Sequence, residues 1–243
     1  MSGLLALDYP GPAFQSLGPA HVAALASILL LNIALAQFRH ASDQTRQRVR
    51  RSLAVAIWTA EASWHFWNIA AGTWTVQSML PLNMCSLLIW LSGLMLWRRD
   101  ARIFEFAYFL GVGAALQYLA TPDLGVYGFP HFRFFQAFMS HGLLLTAPIV
   151  MTTVEGLRPG WRSLRRTILG ANVYAAAIYV VNLAIGSNYL MLNGKPATSS
   201  VLDLLPDWPY YIVFMELIGL ATCLILLLPF LIADQRSGRA AGG

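Results

Sequence analysis

Charged residues are scarce in this chain. Only 11% of its 243 residues are charged, while 57% are hydrophobic. A soluble domain carries about 25% charged residues, so this composition leaves too few to cover a water-facing surface. The apolar residues also form long runs, and one bilayer span takes about 20 of them. About seven spans with short loops account for this length, which leaves no room for a separate soluble domain.

Cysteine and lysine are also rare. The two cysteines, Cys85 and Cys223, show no CxxC motif and no Cys/His metal spacing, and they fall at different predicted depths. We therefore expect no structural disulfide, no metal site and no cofactor. The single lysine, Lys195, lies in a predicted loop, which excludes a retinal Schiff base on the last span. No metalloprotease, nucleophile-elbow, P-loop or EF-hand motif is present.

A basic N-terminus is missing. The first nineteen residues contain Asp8 but no Lys or Arg, whereas a secretory signal peptide needs a basic start and a cleavage site. We therefore expect residues 1–19 to form a loop or interfacial segment ahead of a retained first helix.

Long apolar runs then define the fold class. We predict an all-α, polytopic membrane helical bundle that forms a single transmembrane domain over residues 1–243, with the bundle at 20–232 and a cytoplasmic tail at 233–243. The predicted spans lie at about 20–37, 53–71, 79–97, 103–120, 132–153, 167–185 and 209–232.

Basic residues alternate along these spans. Fourteen of the sixteen fall in alternate loops and the C-terminal tail, and the other two, Arg133 and Lys195, fall on the opposite side. The positive-inside rule puts the fourteen in the cytoplasm, so the N-terminus is predicted outside and the C-terminus inside. Short Arg-bearing loops meet lipid headgroups, so the net charge of +5 does not indicate a nucleic-acid partner. The Ala- and Arg-rich composition favours a bacterial inner (cytoplasmic) membrane.

Polar residues concentrate near one end of the predicted spans. At about 1.5 Å rise per residue, most lie about 9–14 Å below the outer boundary. They include Glu61, His65, Asn83, Cys85, Gln136, His141, Tyr211 and Glu216. Intramembrane ionisable groups are costly and usually face a bundle interior or a wet cavity, so we predict a polar cavity open to the outer leaflet. Mutual hydrogen bonds that hold helices together are the alternative.

A thiol and an imidazole at similar depth could form a nucleophilic pair. His141 would accept the proton of Cys85, and Pro81 would start the third helix so that the N–H groups of residues 82–84 and the Asn83 side chain act as oxyanion donors. Glu61 or His65 could orient His141. Cys85 could instead be a small packing residue. The two histidines could also ligate a haem.

Three sequence blocks resemble the YwaF-type integral membrane family, which includes the animal transmembrane protein 164. The blocks are Leu80–Ser86, Phe134–Gly142 with Pro148, and Asn188–Pro196 followed by Leu205–Tyr210. They span most of the chain from the second predicted helix to the seventh. Relatives often carry His two residues before the cysteine, where this chain has Asn83. This difference puts in question the activity of this member and the molecule that accepts the transferred group.

The resemblance implies coenzyme A-independent acyl transfer between phospholipids, with Cys85 and His141 as the catalytic pair. It also implies a fold akin to the androgen-induced membrane hydrolases. On this interpretation the partners are a membrane phospholipid and a lysophospholipid. The residues expected to contact substrate are Gln136, Tyr189, Lys195, Tyr211 and Glu216. A lipid ester hydrolase using the same site, or a non-enzymatic lipid transporter or binding protein, remains the alternative.

Overall fold

The structure, a computed structural model, describes residues 3–196 and 201–236. Within these ranges the regular elements are all helical. The α-helices are α1 Pro19–Ala36, α2 Asp43–Ala70, α3 Met84–Arg98, α4 Ala101–Phe106, α5 Val112–Ala120, α6 Phe132–Thr153, α7 Trp161–Ile185 and α8 Tyr210–Arg236. A π-helical turn, Ala107–Gly111, joins α4 to α5, and short 3-10 helices lie at Gly3–Leu5, Gln37–His40, Tyr189–Met191 and Val201–Leu204.

These helices confirm the predicted all-α membrane bundle. Five segments of the described chain are long and apolar enough to cross a membrane, and they coincide with the first, fourth, fifth, sixth and seventh predicted spans. The second predicted span lies inside α2, whose 28 residues begin with an Arg-rich stretch. The third corresponds to α3, which has only 15 residues and a length of about 22 Å. The chain is therefore an integral membrane protein.

The start of the third helix differs from the prediction. Helix α3 begins at Met84, and the preceding residues form turns, so Pro81 is outside the helix and not in its first turn. A residue before proline is restricted away from helical dihedrals, which disfavours a helix that includes Leu80. The Leu82 N–H is bonded to the Leu80 carbonyl at 2.7 Å, so the predicted oxyanion role for this N–H is wrong.

Side-chain caps fix several helix starts. The Ser42 side chain accepts a hydrogen bond from the Thr45 N–H, and Asp100 accepts from two N–H groups at the start of α4. His131 caps α6 by accepting from the Arg133 N–H at 3.0 Å through Nδ1. Each cap satisfies N–H groups that a helix start leaves unpaired. The cap on α6 also positions the imidazole of His131 at the end of the preceding loop.

The chain divides into two compact units. The first unit contains the residues up to Trp74 and Cys85–Leu157, and α6 is its central helix, packed against α1, α2 and α5. In the most apolar window of α6, 78% of residues are buried, compared with 11% in α1. Close packing in this unit requires Gly93, because a Cβ there would lie 2.1 Å from the Trp58 indole nitrogen.

The predicted N-terminal segment packs onto the first unit. The Leu5 carbonyl accepts a hydrogen bond from the Trp67 indole at 3.0 Å, and the Ala6 carbonyl lies 3.0 Å from His131 Nε2. The Tyr127 ring stacks on the His131 ring with centroids 4.5 Å apart. Burial lowers the pKa of His131, which precedes α6. These contacts connect the segment to the end of α2 and to the loop before α6.

A buried ion-pair network lies at the Arg-rich end of the first unit. Glu155 accepts from Arg50 at 3.0 Å and from Arg99 at 2.6 Å, and the side chains of Glu155 and Arg50 are less than a tenth exposed. Arg50 also donates to the Leu96 carbonyl at 2.7 Å. The network therefore joins α2, the end of α3 and the segment after α6.

The second unit contains Thr75–Met84 and the described residues from Arg158 onward. Its organising residue is Asn182 near the end of α7. The Asn182 side chain bonds Ser187, both the N–H and the carbonyl of Tyr189, and Asn193. Gly186 adopts a left-handed conformation with φ of 66°, which ends α7 and starts this loop.

Candidate functional site

His141 is the most constrained side chain of the predicted pair. It lies on α6, 8% exposed, and its Nδ1 is 3.0 Å from the Ala137 carbonyl oxygen and 3.3 Å from the Ser140 hydroxyl. A carbonyl oxygen only accepts hydrogen bonds, so Nδ1 carries the proton in the neutral ring. The other nitrogen, Nε2, therefore keeps a lone pair and is the atom able to accept a proton.

Tyr118 covers one face of this imidazole. The two rings are stacked with centroids 3.5 Å apart and planes inclined by 8°. Tyr118 lies near the end of α5, so the stack joins α5 to α6 within the first unit. The ring contact and the two Nδ1 interactions together restrict rotation of the His141 side chain.

Cys85 lies in the same compact unit as Tyr118 and His141. It is the second residue of α3 and its thiol is free and half-buried. The N–H groups of Cys85 and Ser86 lie in the first turn of α3, where a helix has no internal partners for them.

Glu61 and His65 form a second pair on α2. His65 Nδ1 accepts from the Trp74 indole at 3.2 Å, so its proton lies on Nε2, which is 3.9 Å from a Glu61 oxygen. Glu61 is 2% exposed, and 3.9 Å is too long for a hydrogen bond between the two side chains. The contacts of His141 described above are to other groups, and the predicted orienting role of Glu61 or His65 stays a prediction. Because both ring nitrogens of His65 face protein groups, the site disfavours a haem ligand there.

Gln136 stands between these elements. Its amide nitrogen is 3.3 Å from the Ala60 carbonyl on α2 and 3.4 Å from the Ser140 hydroxyl on α6, and its oxygen accepts from Arg133. The side chain is 3% exposed. Gln136 therefore connects the α2 side of the site to the residue that touches His141.

The remaining predicted substrate contacts fall in the second unit and have partners there. The Tyr189 hydroxyl donates to the Val76 carbonyl at 2.7 Å and accepts from the Leu80 N–H at 2.9 Å. Lys195 donates to the Leu205 carbonyl at 2.8 Å, and the Tyr211 hydroxyl donates to the Met191 carbonyl. These contacts shape the loop between α7 and α8; a role in substrate binding stays a prediction.

Asn83 and Glu216 also have partners in this unit. The Asn83 side-chain oxygen accepts from the Leu190 N–H at 3.1 Å, which connects the residue before α3 to that loop. Glu216 is exposed on α8 and accepts from the Asn172 amide at 3.3 Å. The predicted oxyanion role of Asn83 stays a prediction, now restricted to its amide nitrogen.

The sequence analysis assigned no function to Tyr118 or Arg133. Arg133 Nη2 donates to the Tyr118 hydroxyl at 3.3 Å, and the guanidinium lies 4.2 Å from the Trp64 ring centroid. The sequence does distinguish Arg133 from the other arginines, because it is one of only two basic residues on the Arg-poor side. A cation that departs from the positive-inside pattern indicates a specific local contact.

This fold and these side chains define a class: a polytopic helical membrane protein whose first unit contains a thiol, an imidazole, a carboxyl and a guanidinium. The model of the TMEM164 family matches residues 16–227, and the chain belongs to that family. The match covers both units and every residue of the candidate site. Comparison with curated proteins and with solved structures gives no match. Within the described residues, no group of three or more His, Cys, Asp and Glu could hold a metal ion.

Proposed function

We propose that this protein is a phospholipid acyltransferase that uses Cys85 as nucleophile and His141 as general base. The observation that carries the proposal is the position of His141, whose Nδ1 faces the Ala137 carbonyl so that Nε2 is left as the proton acceptor, in the same compact unit as the free Cys85 thiol. Membership of the TMEM164 family and the membrane-spanning helices support a lipid substrate.

The first half-reaction forms a thioester. His141 Nε2 takes the thiol proton, and the Cys85 sulfur attacks an ester carbonyl carbon of a phospholipid. The tetrahedral intermediate collapses, the bond to the glycerol oxygen breaks, and that oxygen receives the proton from His141. A lysophospholipid leaves and the acyl group remains on sulfur.

The second half-reaction repeats these steps in reverse with a new acceptor. His141 takes the proton of a lysophospholipid hydroxyl, whose oxygen attacks the thioester carbon, and the thiolate that leaves regains this proton. The N–H groups of Cys85 and Ser86 serve as the oxyanion donors in this mechanism, because the first turn of α3 leaves them without helical partners. Each such donor is worth roughly 100- to 1,000-fold in rate.

The test is acyl transfer by the purified protein from phospholipid to isotope-labelled lysophospholipid, with intact mass to detect the acyl adduct. Cys85→Ala should abolish both adduct and transfer. The matched control is Cys223→Ala, since Cys223 is the other cysteine and lies buried in α8 of the second unit. Equal transfer by Cys85→Ala and the unmodified protein would refute the proposal. Release of free fatty acid without transfer would identify a hydrolase.

A further inference from the structure

Arg133 has an unusual position among the basic residues. Fourteen of the sixteen lie on the Arg-rich side, and Arg133 is the second residue of α6 at the Arg-poor end. A cation at that depth reaches the level of lipid headgroups, where phosphate is the abundant anion. Unlike the surface arginines, it lies beside the candidate nucleophilic pair.

Neutral partners hold the guanidinium in place. It lies 4.2 Å from the Trp64 ring centroid, and it donates to the Tyr118 hydroxyl and to the Gln136 amide oxygen. None of these groups cancels its charge. The ion pairs found among residues 3–196 and 201–236 include none to Arg133.

Donor capacity also remains. An arginine has five N–H donors in a planar fork, and the two hydrogen bonds above use two of them. Such a fork suits the two oxygens of a phosphate, and the stacked Trp64 ring reduces the entropy lost on binding. The Tyr118 hydroxyl that accepts from Arg133 belongs to the ring that stacks on His141, so the guanidinium is close to the site.

We propose that Arg133 binds the phosphate of the phospholipid headgroup. The inference rests on the proposed function, since it names the group by which that site recognises its substrate. In a glycerophospholipid only the glycerol separates the phosphate from the ester carbonyls. An Arg133-bound phosphate therefore places the ester at the depth of Cys85, which also lies in the first turn of its helix.

Lys195 is the less suitable cation. Its ammonium donates to the Leu205 carbonyl at 2.8 Å and lies 3.6 Å from an Asp207 oxygen. A carboxylate already offsets its charge, so a phosphate would have to compete with that ion pair. Arg133 is therefore a better match to a headgroup phosphate than Lys195, one of the residues that the sequence analysis expects to contact substrate.

The test measures binding without chemistry. Protein carrying Cys85→Ala is titrated with a short-chain phosphatidate, the matching diacylglycerol and inorganic phosphate, and tryptophan fluorescence and the heat of binding are followed. We expect phosphatidate to bind at least about tenfold tighter than diacylglycerol, the scale of a charged hydrogen bond. In the Cys85→Ala protein, a second substitution Arg133→Gln should remove this difference in affinity, and Arg133→Lys should keep part of it. Arg158→Gln, on the Arg-rich side, should leave the difference unchanged.

Three outcomes would overturn the inference. The preference for phosphatidate over diacylglycerol could be unchanged in a folded Arg133→Gln protein, or it could be lost when Lys195→Gln is introduced and Arg133 is kept. The third is that inorganic phosphate binds as tightly as phosphatidate. Folding of each variant is judged from its melting temperature in detergent. An Arg133-dependent preference in a protein that transfers no acyl group would refute the proposed function alone. Normal transfer with no Arg133-dependent preference would refute this inference alone.

Discussion

Replacement of Tyr118 is the most direct test of how His141 is held. Tyr118→Leu removes the ring that stacks on the imidazole, whereas Tyr118→Phe keeps the ring and removes only the hydroxyl that accepts from Arg133 at 3.3 Å. The two variants therefore separate the stack from the hydrogen bond. In both, the Nδ1 interactions with Ala137 and Ser140 remain.

The magnitude follows from what each variant leaves behind. An aromatic pair contributes about 0.5–1.5 kcal/mol beyond the area it buries. Loss of about 1 kcal/mol lowers the population of the productive His141 rotamer about fivefold, while the Nδ1 hydrogen bond, also worth about 1 kcal/mol, keeps part of it. Tyr118→Leu should therefore slow the chemical step about five- to tenfold, and Tyr118→Phe less than about threefold.

The assay is the rate of Cys85 acylation by a water-soluble activated ester, followed by intact mass in a single turnover. This small neutral ester bypasses headgroup binding, so the rate reports the thiol and its base. Tyr179→Leu, a half-exposed tyrosine on α7 in the second unit, is the matched control and should be unaffected. Melting temperatures in detergent show whether each variant is folded.

Two results would refute this reasoning. An unchanged rate in Tyr118→Leu would mean that the stack does not position the base. A loss larger than about a hundredfold in a folded Tyr118→Phe protein would mean that the hydroxyl takes part in the reaction itself, because a positioning hydrogen bond to a charged group accounts for at most about a hundredfold.

Two further predictions concern stability. Glu155→Gln should lower the free energy of unfolding by roughly 3–5 kcal/mol, because it leaves the buried Arg50 without its carboxylate, and the melting temperature in detergent should fall strongly. Arg158→Gln, which breaks a more exposed ion pair, should cost less than about 1 kcal/mol. Equal losses in the two variants would refute the role of the buried network. Burial lowers the pKa of His131 below its ordinary 6.5, so His131 takes up a proton more readily when the N-terminal segment is undocked. Docking should be strongest above about pH 6.5 and weaken below it, measured as smaller amide-exchange protection factors of residues 3–18 at pH 5.5, after correction for the intrinsic exchange rate at each pH; the same pH step in His131→Gln would contradict this.

Much of the fold was predictable because hydropathy and charge act locally along the chain. The α6 prediction of 132–153 coincides with the helix, since a loop rich in Pro and Gly ends at His131 and apolar residues predominate in the run that follows. The third span was wrong at its start because residues 79–83 are nearly as apolar as a helix. Their turn depends on distant groups: the hydroxyls of Tyr174 and Tyr189 bond the Leu82 carbonyl and the Leu80 N–H.

The sequence alone determined that this is a helical membrane protein, where its spans lie, and which thiol and imidazole resemble a family's catalytic pair. Each of these depends on composition, on local periodicity or on motifs read in chain order. Only the tertiary structure decided that Tyr118 stacks on His141 and that Arg133 bonds to Tyr118. Such contacts depend on the angles and registers at which separate helices pack, and a linear sequence does not display these.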